Sequence, residues 1–228
     1  MRPNIILITT DQQRGDCLGC DGHSVIETPY LDELAEQGAH FKHAYTSVPS
    51  CTPARAGIIT GMDQWNHGRL SMTGADPLEY PLTLPGELAK VGYHTQAIGK
   101  MHHAPQRRLY GFHHMVLDES GRRSGNFISD YHIWFDENKE GAYGYRDHSI
   151  DWNSWMGRPS HLPEHLHPTH WTASEGIKFL KQRDPTKPFF MWLSFAVKFL
   201  YKPALGSLLL EKPILPAAFA FYFLYILD

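Results

Sequence analysis

Three stretches of this 228-residue chain carry side chains whose types and spacing could do chemistry together. The densest is Cys51-Thr52-Pro53-Ala54-Arg55-Ala56-Gly57-Ile58-Ile59-Thr60-Gly61. Pro53 signals the first turn of a helix and Gly61 its end. Cys51 therefore lies just ahead of a helix start, where free N–H groups and the dipole favour negative charge. Arg55, four residues on, returns toward the same end. A thiolate at Cys51 would be stabilised there, so a reactive cysteine is one reading and a buried packing cysteine the other. The remaining stretches are Asp11-Gln12 and Lys100-Met101-His102-His103, each directly after a run that reads as a buried strand. Open α/β sheets gather ligands at the carboxyl ends of their parallel strands, which is where both stretches fall. His103 follows His102 immediately and is expected to point elsewhere.

The elements that must position these groups are legible in outline. Asn4 to Thr9 is apolar and β-branched, which suits a parallel strand covered on both faces. Thr28-Pro29 opens a helix, with Thr28 as N-cap, Leu31, Leu34 and Ala35 as its apolar face, and Gly38 as its stop. Another helix runs from about Leu84 to Val91, between Thr83 and Gly92, and leads into a strand at Tyr93–Ile98. The stretch from about 104 to 165 shows no sustained period and reads as loop covering a site. A helix from about Thr169 to Lys181 then precedes a strand at Phe189–Ala196. Strands alternating with helices predict an α/β fold with a mostly parallel central sheet flanked by helices.

In this combination the sequence resembles the sulfatase family of the alkaline-phosphatase-like superfamily. The resemblance rests on Cys-x-Pro-x-Arg at Cys51, Pro53 and Arg55, with the small-residue helix ending in Thr60-Gly61. The opening strand with Asp11, the Thr28-Pro29-x-Leu31-Asp32-x-Leu34-Ala35-x-x-Gly38 helix and Gly99-Lys100-x-His102 follow in the family's order, over roughly residues 3–197. It implies hydrolysis of a sulfate ester, of a small molecule or a carbohydrate. Cys51 would be converted after synthesis to formylglycine, by a formylglycine-generating or an anaerobic sulfatase-maturating enzyme. A divalent metal, calcium by preference for oxygen ligands, would be held by Asp11, Gln12 and modified Cys51. Arg55 would fix the hydrated aldehyde, and Lys100 and His102 would contact the sulfate or the leaving-group side. One hydroxyl of the hydrate would attack sulfur, and the other would then collapse to eject sulfate. An ordinary serine or cysteine lacks that second hydroxyl.

The resemblance implies the N-terminal portion of a catalytic domain over residues 1–197, with a divergent apolar tail at 198–228. Relatives continue from a strand like Phe189–Phe195 into a Pro-His pair, whereas this chain reads Ala196-Val197-Lys198-Phe199-Leu200. A shifted reading frame would produce such a change, and a divergent terminus is the alternative. The tail is expected to leave the sheet with an exposed apolar edge, an association hazard. Two other functions stay open: hydrolysis of phosphonate or phosphate monoesters with the same apparatus, and a non-catalytic truncated fragment.

Composition excludes other classes. Lys+Arg of 21 against Asp+Glu of 24 gives a net charge of −3, without the basic excess that a nucleic-acid binder needs. The apolar run at Ile5–Ile8 is too short for a secretory signal, so a cytoplasmic chain with no membrane segment is expected. The final apolar run, Ala217–Leu227, is too short to span a bilayer, which takes about 20 residues. Cys17-x-x-Cys20 matches a redox or half-zinc spacing, but no second pair completes it, and both read as packing cysteines. His161, His165, His167 and His170 read as surface histidines, because Pro163 and Pro168 break helical ligand spacing. Trp134, Trp152 and Trp155 hint weakly at sugar stacking.

Overall fold

A computed structural model describes residues 2–11, 13, 16–71, 79–119, 126–145, 147, 160–196, 218–219 and 223–227. Gln12, Trp152 and Trp155 lie outside the described residues.

Four strands run parallel: β1 (Asn4–Thr10), β2 (His94–Gly99), β3 (His114–Leu117) and β4 (Phe189–Phe195). They stand in the order β3-β2-β4-β1, with Ile5 opposite Phe190 and His94 opposite Phe189. Period-2 alternation divides their side chains between two cores. Ile6 and Ile8 of β1 pack with Phe189, Met191, Leu193 and Phe195 of β4 on one face. Leu7, Phe190 and Trp192 pack on the other. Both faces are apolar because helices cover both, which is why β1 and β4 read as unbroken apolar runs.

The first face is covered by α1 (Pro29–Gln37), through Leu31 and Leu34, and by α6 (Pro168–Gln182), through Ala173 and Ile177. The second is covered by α2 (Cys51–Thr60), through Ile58 and Ile59, and by α4 (Leu84–Lys90), through Leu88. Short α3 (Gln64–His67) follows α2. Apart from β3 and α3, which were not predicted, these elements agree with the predicted helices and strands to within a residue or two. Thr28 is the N-cap residue of α1, but its hydroxyl donates to Asp32 Oδ1 instead of accepting from the helix backbone.

Three expectations are corrected. The middle stretch holds β3 and α5 (Asp130–Asn138), tied together where Leu117 N–H donates to Asp130 Oδ2 at 2.6 Å. A four-residue strand and a helix whose only fully buried residues are Tyr131 and Phe135 give too short a pattern to register as a period. His167 is buried, and its ring accepts from Thr169 N–H at the start of α6, so it is no surface residue. The apolar ending does not leave β1 open. It supplies β5 (Ala218–Phe219) and β6 (Phe223–Leu227), and β6 lies antiparallel along β1, from Asn4↔Leu227 to Ile8↔Phe223. A free strand edge is a row of unpaired donors and acceptors, and an apolar β-prone segment of the same chain can satisfy it. Among the described residues no helix is long and apolar enough to cross a membrane.

Candidate active site

The carboxyl ends of β2 and β4 are tied to α2 through Arg55, and that of β1 to β2 through Asp11 and Lys100. Asp11 leaves β1 with its N–H on Phe195 O, at 3.2 Å. Lys100 leaves β2 with its N–H on Ser194 O, at 2.9 Å, so backbone bonds fix both residues against β4. Gly99 makes that approach possible. Its φ is +91°, and a Cβ there would sit 2.0 Å from Ser194 O, so only glycine fits.

The Lys100 ammonium pairs with Asp11 Oδ2, both side chains being largely withdrawn from solvent. Among the described residues Asp11 Oδ1 accepts no hydrogen bond. Cys51, half-buried and not in a disulfide, is the first residue of α2, and the Ser50 side chain does not cap that helix. Arg55 is only 7% exposed. It donates to Lys100 O and, at 2.8 Å, to Ser194 Oγ, and its guanidinium lies 5.8 Å from the Trp192 ring centre. A buried guanidinium needs such acceptors, and the π face adds a further favourable contact. Arg55 thus fastens α2 to the ends of β2 and β4. Of the residues predicted from sequence, the structure brings together Asp11, Lys100 and Arg55, with Cys51 heading the same helix.

His102 holds a left-handed conformation, φ +57°, which a non-glycine residue adopts at a cost. The residue that holds it there was missed in the sequence. Glu119, 1% exposed, accepts the backbone N–H groups of both Met101 and His102 at 3.0 Å through Oε1. Its Oε2 lies 3.8 Å from His102 Nε2. Burial pushes the Glu119 carboxyl above its usual range, against the two N–H bonds and the nearby Arg55 and Lys100 charges. Glu119 follows β3, so recognising that strand would have placed a carboxylate at a fourth strand end. Ser194 was likewise missed, because a serine inside Phe-Phe-Met-Trp-Leu-Ser-Phe reads as core.

His103 does not point away. The turn at His102 directs it into a small cleft along α2, lined by Thr52, Arg55, Arg69, His102 and Tyr110. His103 Nδ1 lies 2.6 Å from Arg108 O, which can only accept, so Nδ1 carries the proton and Nε2 is a bare acceptor. Burial, with the Arg55 charge as a smaller contribution, lowers the imidazole to about 4. Cys51, Asp11 and Lys100 do not line this cleft; it begins one residue farther along α2.

Two buried cations, Arg55 and Lys100, share this rim with two carboxyl groups, Asp11 paired to Lys100 and Glu119 pushed by burial toward its neutral form. With the start of α2 four residues before Arg55, the balance favours an anion. The family model for sulfatases matches residues 3–197. The chain belongs to the sulfatase family. It is 47% identical over 206 residues to an arylsulfatase of Clostridium perfringens, covering 86% of this chain and 43% of that protein. Among solved structures it is similar to the phosphonate monoester hydrolase of Agrobacterium radiobacter (TM-score 0.64, 26% identity, covering 85% of this chain and 40% of that one). It is also similar to a protein solved with its substrate, D-glucosamine-2-N,6-O-disulfate (TM-score 0.59, 26% identity, covering 85% and 34%). Both carry the same alkaline-phosphatase-like architecture. The chain thus spans about two fifths of the length of the relatives it matches.

Asp11 fits one part of a divalent-metal site. Its Oδ1, which takes no hydrogen bond from the described residues, is a hard oxygen donor at the end of β1. A calcium ion takes six to eight oxygens, so Asp11 and Gln12 would be part of a shell and not all of it.

Proposed function

We propose that this chain carries the sulfate-ester hydrolase site of its family, with Cys51 as the position of the nucleophile. The observation that carries the reading is the junction of Arg55, Lys100 and Asp11 at the ends of three strands, with Cys51 at the start of the helix that carries Arg55. Its substrate class is an alcohol sulfate ester, aryl or carbohydrate. Asp11 and Gln12 would hold a divalent metal, calcium by the hardness of their oxygens, with the modified Cys51. When bound, the metal and a formylglycine at residue 51 supply charge neutralisation and a hydroxyl nucleophile with a second hydroxyl for release.

The chain's own residues do the rest. Arg55 orients the first turn of α2 by holding Lys100 O and Ser194 Oγ, which keeps residue 51 at the rim. Lys100 presents a fixed ammonium to the sulfate oxygens, where preorganised donors act most strongly on developing charge. His102, buried beside Glu119, holds a proton on the leaving-alcohol side. The apolar core behind Trp192 keeps water from screening these charges.

Two measurements test the reading. A peptide spanning Cys51 from the native host should be about 18 Da lighter than its thiol form. Aryl sulfate should turn over faster than aryl phosphonate. An unmodified peptide removes the proposed nucleophile. A rate confined to the phosphonate favours the second reading, phosphonate-ester hydrolysis, which the similarity to the Agrobacterium radiobacter enzyme supports.

A further inference from the structure

The Cys17-x-x-Cys20 spacing lacks a second pair in the sequence, yet the fold gives Cys20 other partners. We propose that Cys20, Asp21 and His40 form a binding site for a zinc ion, separate from the Asp11 rim. Cys20 and Asp21 belong to a 3₁₀ turn (Gly19–Asp21), closed by Gly22 at φ +85°, and His40 follows α1. One ligand atom from each of the three lies within 4.8 Å of the others. The His40 Nε2 to Asp21 Oδ2 distance is 3.4 Å. Around a tetrahedral zinc, with bonds of about 2.0–2.3 Å, ligand atoms stand about 3.5 Å apart. The cluster therefore needs to contract by up to about 1.3 Å to take the ion.

The donor set chooses the metal. One thiol sulfur, one imidazole nitrogen and one carboxylate oxygen suit a borderline-soft ion, whereas calcium and magnesium prefer oxygen alone. Three protein ligands leave a fourth position for water. The turn is also braced from behind. Asp32 Oδ1 accepts Cys20 N–H at 2.8 Å and the Thr28 hydroxyl at 2.7 Å. Gly19 allows this approach, since a Cβ there would lie 2.4 Å from Asp32 Oδ2. Such outer partners fix ligand orientation in metal sites. Asp21 and Asp32 both face the thiol, and among the described residues no lysine or arginine pairs with either. A cation at this point offsets both carboxylates and takes the place of the thiol proton, which leaves to solvent. Cys17 stands apart, its sulfur turned to Asp16 at 3.8 Å.

The site stands independently of the hydrolase reading, and its test needs no turnover. The full chain carrying Cys51→Ser, freed of metal, is titrated with Co²⁺ and then with Zn²⁺. One equivalent of Co²⁺ should give a thiolate-to-metal charge-transfer band in the near ultraviolet, and Zn²⁺ should abolish it. Cys20→Ser and His40→Ala should each weaken binding by ~10-fold or more, on the scale at which even outer partners matter. Cys17→Ser and Asp11→Asn should leave the band in place. No band in the Cys51→Ser chain overturns the site, as does a band that survives Cys20→Ser or disappears with Cys17→Ser. If Cys20→Ser fails to fold, His40→Ala decides alone.

Discussion

The two halves of the sheet are held by different means. On the parallel side, β4 is buried along its whole length, and its side chains enter two separate cores. On the antiparallel side, β6 is laid on β1 by five backbone pairs, and β5 adds two more. Every side chain of the candidate site comes from the parallel strand ends, the segments just after them, or α2. Parallel strands share a direction, so their carboxyl ends fall on one rim and bring Asp11, Lys100, Ser194 and Glu119 together. An antiparallel hairpin can close an edge without adding to that rim. Stability and chemistry are thus expected to concentrate on the parallel side.

The largest effect tests that directly. Trp192 is 1% exposed, carries the Arg55 guanidinium over its ring, and donates from Nε1 to Thr9 Oγ1 at 3.0 Å. Trp192→Ala should cost about 3–5 kcal/mol in a urea titration, combining lost burial with a cavity. A loss under about 1 kcal/mol would mean that this side is not the core.

The rim leaves a mark on pH dependence. His103 is held near 4 when folded, against 6.5 as a free side chain. Between those values the unfolded chain binds the proton and the folded one does not, so stability falls as pH drops through the window. The full difference is about 3 kcal/mol. His103→Gln should flatten the slope between pH 6.5 and 4, measured by denaturant midpoints at each pH. An unchanged slope would place the titrating group elsewhere.

Removal of residues 218–228 should cost less than either change, on the order of 1–2 kcal/mol, because it exposes one strand edge and leaves both parallel cores in place. Its main symptom should be association, visible as a shift to larger species in size-exclusion chromatography. A loss as large as that of Trp192→Ala would break the contrast between the halves.

The parallel half was well legible in the sequence, because fully buried strands and capped helices write themselves as apolar runs and Thr-Pro or Gly boundaries. The places of Asp11 and Lys100 at strand ends and of Cys51 and Arg55 in α2 were legible from those boundaries. Glu119 was not, since β3 has only four residues and sits in a stretch without a period. His103 was misread because adjacent residues in extended chain point oppositely, whereas the left-handed turn at His102 breaks that alternation. The pairing of β6 with β1 was hidden for a further reason. An apolar run shows that a segment needs cover, but not which edge will provide it.

The smallest expected effect separates two states of the rim. In Glu119→Gln the amide oxygen can still accept from Met101 and His102, so stability should change by about 1 kcal/mol or less. What disappears is the carboxyl 3.8 Å from His102 Nε2. Burial raises the Glu119 carboxyl above its ordinary 4.5, so the folded protein holds this proton at a pH where the unfolded chain has released it, and stability from this group falls as pH rises above that value. Glu119→Gln should remove that part of the pH profile, read from denaturant midpoints, and a profile that the variant leaves unchanged would overturn the assignment. Glu119→Ala completes the pair. It removes both acceptors and should release the turn at His102, so it should lose more stability than the glutamine variant.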